Sequence, residues 1–215
     1  MRRSGTPDRT HALESYRRLA PGYDEATRLI GRKRLRAIGL LQLVPGDTVL
    51  DAACGTGAVL DLLSRAVGPG GRVIGVELSP EMIAQARERV ERLGLRNVTL
   101  IEAPMEDAAI PGPVDAVLFS YAHDVLRSRR ALDRVFAAVR PGARVAAAGA
   151  KLYPRALSFL NFWVRWRIRH YVSTLEGLEA PWSLLAEYLP DFAIADVTLF
   201  GSGYVGRGTY PGRAA

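Results

Sequence analysis

Short apolar runs alternate with longer amphipathic stretches from about residue 45 to residue 150 of this 215-residue chain. This alternation is typical of a parallel sheet whose strands are joined by crossover helices, so it predicts an α/β fold. The runs assigned to strands are Thr48–Ala52, Arg72–Glu77, Asn97–Glu102, Val114–Ser120 and Arg144–Ala150. A chain of this length is expected to form one domain rather than two.

Two helices between these strands are predicted from their terminal residues. One follows the first strand and ends at Gly68. The next, Glu81–Leu93, has Ser79 in position to cap its N-terminus, Pro80 at the first helical position and Gly94 at the far end. Serine satisfies free N–H groups, proline suits a first turn, and glycine suits the left-handed residue that closes a helix. Both segments are therefore predicted to be crossover helices.

The C-terminal third predicts one more helix and an antiparallel strand pair. Arg129–Val139 has apolar side chains at helical spacing on one face, and the following Pro141-Gly142 is predicted to end the helix. Phe192–Phe200 and Tyr204–Tyr210 are strand-like and are separated by a Gly-Ser-Gly turn. The whole pattern predicts a doubly wound sheet of seven strands, mostly parallel, with a C-terminal antiparallel hairpin and helices on both faces.

The chain contains one cysteine, Cys54, and three histidines, His11, His123 and His170. One thiol cannot form an internal disulfide, and this set does not provide a structural zinc site. Neither the first ten residues nor the apolar stretch after Ala143 has the apolar core of a signal peptide or a membrane span. We therefore expect a cytoplasmic protein without a metal site.

The first predicted strand ends in the loop DAACGTG (residues 51–57), which runs into a helix. Glycines at such a turn let bare backbone approach a ligand. A dinucleotide-binding loop would need a third glycine where Leu60 stands. Asp51 would repel a pyrophosphate, whereas S-adenosylmethionine (SAM) has a cationic amino group and a sulfonium but no phosphate. The loop therefore favours SAM over a nicotinamide dinucleotide.

Glu77 ends the second predicted strand, twenty positions after Gly57. An acidic side chain at this place can bond both hydroxyl groups of a ribose. Proteins that bind NAD share this spacing. Glu77 therefore predicts a site for a cofactor that contains adenosine, but it does not distinguish SAM from NAD.

Three motifs resemble those of class I SAM-dependent methyltransferases: VLDAACGTG (residues 49–57), GVELSPEM (residues 75–82) and EAPMED (residues 102–107). The resemblance covers about residues 45–150 and points especially to the small-molecule and lipid branch, with its quinone C-methyltransferases and phospholipid N-methyltransferases. It implies a Rossmann-like fold and methyl transfer from SAM, which leaves S-adenosylhomocysteine. The cofactor site that it implies comprises Asp51, Ala53, Cys54, Gly55, Gly57, Glu77, Leu78, Met82, Met105, Glu106 and Ser120.

The sequence departs from the family's pattern at two positions. Ala53 stands where the first glycine of D-x-G-x-G-x-G is usual, and we expect its methyl group to be tolerated. Pro104 stands where relatives often have an aspartate that bonds the adenine amino group. The resemblance therefore predicts that the backbone of Met105 and the carboxylate of Glu106 take this role, with Met105 packed on the adenine ring.

Residues 120–124 (SYAHD) follow the fourth strand, at the sheet edge where open α/β folds bind ligands. They lack the proline-rich motif of enzymes that methylate nucleic-acid amino groups. Candidate catalytic residues are Tyr121, His123 and Asp124, together with Tyr23, which resembles a tyrosine that relatives fold over the methionine end of SAM. Tyr23 fits an ordinary helix-start aromatic equally well. His123 is either a general base oriented by a carboxylate or an exposed loop histidine capped by Asp124.

The formal charge of +7 is concentrated in two basic segments. Residues 1–40 carry ten Lys/Arg against four Asp/Glu, and residues 151–175 carry five Lys/Arg and no Asp/Glu. All three tryptophans lie in or beside the second segment: Trp163, Trp166 and Trp182. Such a segment fits an interfacial helix with Arg165, Arg167 and Arg169 facing anionic head groups. Aromatic side chains packed on the sheet, with solvated arginines, fit equally well.

In the family that the motifs resemble, segments before the first strand and after the fifth form a lid over the substrate. The resemblance divides the single domain 1–215 into an N-terminal helical lid (1–44), a SAM-binding core (45–150), a substrate-lid insertion (151–190) and a C-terminal β-hairpin (191–215). Both basic segments are expected to converge over one opening. The expected acceptor is an amphipathic or anionic small molecule or lipid, with peripheral contact at the inner face of an anionic membrane and no nucleic acid.

Two other functions stay open. The first is an NAD-dependent oxidoreductase, which would need a third glycine near residue 60. The second is a basic RNA-binding protein on a SAM-binding fold, although the chain has no recognised nucleic-acid motif with interleaved surface aromatics. Binding of SAM against NAD, and salt-dependent retention of RNA, would distinguish these functions from methyl transfer.

Overall fold

A computed structural model describes residues 13, 14, 17, 20–27, 30–169, 172, 174–197 and 202–212, without the side chains of Pro21, Ala156 and Arg167. Its strands are β1 (Thr48–Ala52), β2 (Arg72–Glu77), β3 (Val98–Glu102), β4 (Val114–Ser120), β5 (Val139–Ala150), β6 (Ala193–Val197) and β7 (Gly203–Thr209). They form one sheet in the order β3-β2-β1-β4-β5-β7-β6. β1 to β5 pair in parallel, and β7 is antiparallel to both β5 and β6. The predicted fold class is confirmed.

The described helices lie before the sheet, between its strands and after β5. They are α1 (Tyr23–Ala26), α2 (Gly31–Leu40), α3 (Leu60–Val67), α4 (Pro80–Arg92), α5 (His123–Leu126), α6 (Arg129–Ala138) and α7 (Asn161–Ile168). No helix among the described residues combines the length and the apolarity needed to cross a membrane.

The terminal residues of α4 behave as the sequence predicts. The Ser79 hydroxyl accepts a hydrogen bond from the Met82 N–H at 3.3 Å, and Pro80 occupies the first helical position. Gly94 closes the far end with φ +61°, and Gly68 closes α3 with φ +67°. The helix begins and ends one residue earlier than predicted. The capping residues therefore predicted both ends of α4 to within one residue.

The boundary between α6 and β5 differs from the prediction. The helix ends before Val139, and β5 begins there instead of five residues later. Val139 is buried and pairs with Val114 of β4, while the Gly142 N–H donates to the Tyr210 carbonyl at 2.7 Å. Strands on both sides thus draw the Pro-Gly segment into the sheet. The helix thus ends one residue earlier than predicted, and the Pro-Gly pair lies inside β5 rather than before it.

The predicted C-terminal strand pair is confirmed over the described residues. β6 ends at Val197, and the predicted extension to Phe200 lies outside the described residues. All five side chains of β6 are exposed, as expected for the strand at the sheet edge.

Apolar side chains cover both faces of the sheet. On one face they lie beneath α6 and the residues before β6: Phe119, Leu126, Leu132, Phe136, Leu185, Leu189 and Tyr204. On the other face they lie beneath α2, α3 and α4: Leu41, Leu60, Leu63, Ala86 and Leu118. Because helices close both faces, the open place for a ligand is the edge where the parallel strands end.

Candidate active site

The glycine loop joins β1 to α3. It lies at the carboxyl end of β1, beside the carboxyl ends of the neighbouring parallel strands β2 and β4. Ala53, Gly55 and Gly57 have φ values of +68°, +56° and +74°. A Cβ atom at Gly57 would lie 2.7 Å from Leu60 Cδ1 and 3.2 Å from Ala86 Cβ, whereas one at Gly55 would meet nothing within 4 Å. Gly57 is therefore needed for packing against α4. The space beside Gly55 leaves backbone open to a ligand.

Ala53 occupies a left-handed conformation that costs an L-residue about 1–2 kcal/mol. This explains why glycine is usual at this place in the pattern that the loop resembles. The methyl group is accommodated, as expected, and lies in the wall of a cavity beside the loop.

Glu77 holds the loop against the start of α4. Its Oε2 accepts a hydrogen bond from the Gly55 N–H at 3.0 Å, and its Oε1 accepts one from the Ser79 N–H at 2.8 Å. Burial raises the pKa of Glu77, and these two N–H groups act in the opposite direction. Each carboxylate oxygen can accept a second bond. Glu77 therefore retains the capacity to accept bonds from two hydroxyl groups of a ligand.

Asp51 lies near the same loop and is only 1% exposed. Neither of its carboxylate oxygens has a hydrogen-bond partner among the described residues. Burial raises the pKa of Asp51 to about 7, the Arg34 guanidinium lowers it, and Glu77 raises it. Buried carboxylates are normally paired because desolvation of the charge is costly. Asp51 therefore fits a ligand that brings a cationic donor, such as the amino group of SAM.

A cavity of about 120 Å³, the smaller cavity, lies beside the loop at the ends of β1, β2 and β4. Eleven of the predicted site residues line it: Tyr23, Ala53, Glu77, Leu78, Met82, Met105, Glu106, Ser120, Tyr121, His123 and Asp124. Asp51, Cys54, Gly55 and Gly57 are not among its described lining residues. Cofactor contacts of all these residues remain predictions.

Met105 and Glu106 lie in a single helical turn after β3. Met105 is buried, and Glu106 Oε1 accepts a hydrogen bond from the Ser128 hydroxyl at 2.8 Å. Ser128 also caps α6 by accepting from the Ala131 N–H. The carboxylate predicted to bond adenine is thus held in place by the start of a helix.

Cys54 directs its side chain into the core rather than toward the smaller cavity. A Cβ atom at Gly75 of β2 would lie 2.9 Å from the Cys54 Sγ, so the thiol fills the space that this glycine leaves. Burial raises the pKa of the thiol well above its ordinary value. The Cys54 N–H donates to the Val76 carbonyl at 2.9 Å. The predicted contribution of Cys54 to the cofactor site is therefore limited to its backbone.

A second cavity of about 410 Å³, the larger cavity, shares Tyr23, Tyr121, Ala122 and His123 with the smaller one. Its other described lining residues are Ala26, Thr27, Ile30, Ala148, Gly149, Ala150, Trp166, Ile168, Val172, Leu178, Pro181 and Tyr204. None of the described lining residues carries a full charge at neutral pH. Both basic segments contribute residues to its walls, as expected from their predicted convergence.

His123 opens α5 and is 8% exposed, so its interpretation as an exposed loop histidine is wrong. Burial, assisted by the Arg127 guanidinium, lowers its pKa to about 4, and backbone groups of Glu176 and Thr174 act weakly in the opposite direction. Neither ring nitrogen makes a well-formed hydrogen bond with a described residue. The predicted orientation of the ring by a carboxylate is therefore not seen among the described residues. His123 is neutral near pH 7.

Tyr121 and Ser120 place two more polar groups in the wall of the smaller cavity. Tyr121 has φ +59°, and its N–H donates to the Ala148 carbonyl at 2.7 Å. Its hydroxyl and that of Ser120 are buried and have no hydrogen-bond partner among the described residues. Burial raises the pKa of Tyr121, and the Arg34 guanidinium lies 6.0 Å from its ring centroid. These hydroxyl groups are available to a ligand.

Helix α1 is fastened over the glycine loop. Asp24 accepts a hydrogen bond from the Thr56 hydroxyl at 2.5 Å and forms an ion pair with Arg89 of α4. The adjacent Tyr23 lines both cavities. Tyr23 therefore lies in the wall that the two cavities share, and its contact with the cofactor stays a prediction.

Tyr204 and Arg34 were not selected from the sequence. Tyr204 on β7 is 1% exposed, its ring centroid lies 4.7 Å from that of Trp182, and it lines the larger cavity. Its Cε1 atom lies 3.0 Å from the position of a Cβ atom at Gly149. A glycine inside a predicted strand often marks such a close approach, so Gly149 was the available signal.

Comparisons with known proteins agree with this geometry. Residues 49–142 match the family described as "Methyltransferase domain". The chain is 35% identical over 109 residues to arsenite methyltransferase of Halobacterium salinarum, covering 48% of this chain and 27% of that protein. It is 33% identical over 127 residues to demethylmenaquinone methyltransferase of Symbiobacterium thermophilum, covering 57% and 50%. The chain thus spans half or less of the length of these two relatives.

Solved structures share the fold. A SAM-dependent methyltransferase from Aquifex aeolicus superimposes with a TM-score of 0.59 at 22% identity, over 89% of this chain and 96% of that one. Phosphoethanolamine N-methyltransferase 2 of Haemonchus contortus, in complex with SAM, superimposes with a TM-score of 0.63 at 16% identity, over 82% and 52%. The matched domain, the strand order and the glycine loop thus identify residues 49–142 as a SAM-dependent methyltransferase domain.

Proposed function

We propose that the protein transfers the methyl group of SAM to an amphipathic small molecule or lipid bound in the larger cavity. The observation that carries this proposal is the pair of adjoining cavities with Tyr23, Tyr121 and His123 in their shared wall. SAM supplies a methyl group that is already activated on a sulfonium. The protein's own contribution is therefore to align two ligands and to exclude water.

The cofactor belongs to the smaller cavity and the adjoining loop in this proposal. Glu77 accepts bonds from the ribose hydroxyl groups, and Asp51 accepts one from the cationic amino group. Met105 packs against the adenine ring. These roles are supported by a carboxylate already held by two N–H groups and by a buried carboxylate without a partner.

The larger cavity favours an acceptor with an uncharged organic body. Its volume of about 410 Å³ lies within the usual range for small-molecule sites, and its described walls are aliphatic and aromatic. An acceptor as small as arsenite would leave most of it unfilled. An anionic group would have to lie at the rim, where Arg165 and Arg169 are exposed near Trp166. This arrangement supports an amphipathic acceptor rather than a compact anion.

His123 is the residue we assign to the reacting group of the acceptor. Its imidazole is neutral near pH 7 and lies in the shared wall, so it can accept a hydrogen bond from a hydroxyl group. The Tyr121 hydroxyl can orient the same group. Asp124 lines the smaller cavity but is not among the described lining residues of the larger one, which supports a role on the cofactor side.

The proposal includes peripheral contact with an anionic membrane surface, because an amphipathic acceptor partitions into lipid.

The two rival functions, NAD-dependent oxidation and RNA binding, gain no specific support. Leu60, at the place of a third dinucleotide-loop glycine, is fully buried in the core. The described lining of both cavities offers no cationic site for a phosphate backbone.

The test uses SAM with an isotopically labelled methyl group, incubated with the protein and a cell extract that is then separated into organic-soluble, aqueous, protein and nucleic-acid fractions. We expect the label in an organic-soluble small molecule. Ile30→Trp, which adds bulk in the larger cavity, should stop transfer while SAM binding persists. Label found only in protein or nucleic acid, or transfer unaffected by Ile30→Trp, would contradict the proposal.

A further inference from the structure

Four exposed aromatic side chains, the aromatic patch, lie between residues 159 and 166 in the segment after β5. Phe159, Phe162, Trp163 and Trp166 are 72%, 69%, 62% and 51% exposed. The ring centroids of Phe162 and Trp163 are 6.0 Å apart, and those of Trp163 and Trp166 are 6.1 Å apart, both edge to face. A contiguous apolar surface of this kind usually marks an interaction site rather than a water-facing helix.

The aromatic patch is set apart from other exposed apolar residues. Elsewhere among the described residues, the exposed large apolar side chains are aliphatic: Leu35, Val44, Leu93, Ile194 and Val197. Those residues do not form a patch of contacting rings. The aromatic patch is therefore the exposed apolar surface at which we expect a binding partner.

Arginines surround the aromatic patch. Arg155, Arg165 and Arg169 are exposed, and the Arg169 guanidinium lies 5.5 Å from the ring centroid of Trp166. Arg165 lies 3.7 Å from Glu179, and both side chains of this pair are solvent-accessible, so water and salt screen it. Rings beside cations are complementary to an apolar layer beneath anionic groups, which is the arrangement of a lipid surface.

The aromatic patch borders the larger cavity. Trp166 is half exposed and also lines that cavity, together with Ile168. The start of α7 is tied to the chain after β5 because the Tyr153 N–H donates to Asn161 Oδ1 at 2.7 Å. The exposed rings are thus held at the rim of the acceptor site.

We infer that the aromatic patch and its arginines form the surface that docks on an anionic lipid bilayer, with the rim of the larger cavity at the level of the head groups. This inference rests on the proposed function, because a lipid-dissolved acceptor would then enter the cavity directly beside Trp166. Phe and Trp enter the interface, while Arg155, Arg165 and Arg169 meet the phosphate groups.

The test measures flotation of the protein with vesicles of phosphatidylcholine alone or mixed with phosphatidylglycerol. The wild type should bind the mixed vesicles at low salt, lose binding at high salt, and show a blue shift of tryptophan fluorescence. Phe162→Ser with Trp163→Ser should weaken binding by about tenfold or more, because two rings no longer enter the interface. Replacing Arg155, Arg165 and Arg169 by Gln should abolish the preference for phosphatidylglycerol.

The matched control is Val44→Ser with Leu93→Ser, which removes two exposed apolar side chains that precede β1 and β3 and should bind vesicles as the wild type does. The inference is overturned if the wild type ignores mixed vesicles at low salt, or if the Phe162/Trp163 variant binds as well as the wild type. It is also overturned if sedimentation shows a dimer that this variant abolishes, without vesicle binding. SAM binding is measured on the same samples, and its absence in the wild type would instead contradict the proposed function.

Discussion

Replacing Asp51 by Asn should stabilise the ligand-free protein at alkaline pH. Burial raises the pKa of Asp51 from 3.8 to about 7, so the folded state binds more protons than the unfolded state between these values. The free energy of unfolding therefore falls as pH rises through this window, by up to about 4 kcal/mol. A buried Asn amide without a partner costs about 1–3 kcal/mol in turn. The expected net gain of Asp51→Asn is about 1–3 kcal/mol near pH 8.

The same substitution should weaken SAM binding. A carboxylate bond to a cationic amino group is worth about 1.5–3 kcal/mol, so affinity near pH 8 should fall by about ten- to a hundredfold. In the wild type, affinity should rise with pH up to about pH 7, because the cationic amino group favours the charged form of Asp51. The Asn variant should lack this pH dependence.

Denaturant unfolding measures the first effect, and calorimetric titration in buffers of different ionisation enthalpy measures the second together with proton release. Asp61→Asn is the matched control, because it removes one carboxylate that pairs with Arg65 on the surface of α3. It should change neither stability nor affinity appreciably. If the SAM affinity of the wild type is independent of pH and Asp51→Asn brings no gain in stability, then Asp51 neither has a raised pKa nor binds the amino group of SAM.

Three further predictions concern the loop and the shared wall. Glu77→Gln should weaken SAM binding by about 1.5–3 kcal/mol, as calorimetry measures, because the ribose bonds lose their charge; unchanged affinity would remove Glu77 from the site. Gly55→Val should block SAM in a folded protein, since the branched side chain enters the space beside the loop and its φ of +56° disfavours Val; circular dichroism checks folding, and retained SAM binding contradicts the placement. In the folded protein the pKa of His123 is about 4, below its ordinary value of 6.5. The free energy of unfolding should therefore fall by up to about 3 kcal/mol as the pH drops from 6.5 to 4. In the His123→Gln variant, denaturant unfolding over this pH range should show a smaller decrease.

Local signals predicted the sheet and the loop well. Strand alternation identified β1, β2 and β4 with their observed bounds, and the Ser79, Pro80 and Gly94 positions placed α4 within one residue. The α6–β5 boundary was missed because its outcome depends on pairing with β4 and with Tyr210, which are distant in sequence. Local helix signals carry no information on such partners.

The site was predicted less completely for the same reason. The low pKa of His123 depends on its burial, on the Arg127 guanidinium and on backbone groups of Glu176 and Thr174, and no sequence motif indicates these contacts. Cys54 belongs to a recognisable loop, but the direction of its side chain depends on the space left by Gly75 in a neighbouring strand. Tyr204 enters the larger cavity only because β7 pairs with β5.

Calorimetric titration of the purified protein with SAM and, separately, with NAD tests which cofactor the glycine loop binds. We expect one SAM to bind per chain, S-adenosylhomocysteine to compete with it, and NAD to give no saturable heat. Saturable binding of NAD with no binding of SAM would contradict the assignment of the glycine loop, Asp51 and Glu77 to a methyltransferase cofactor site.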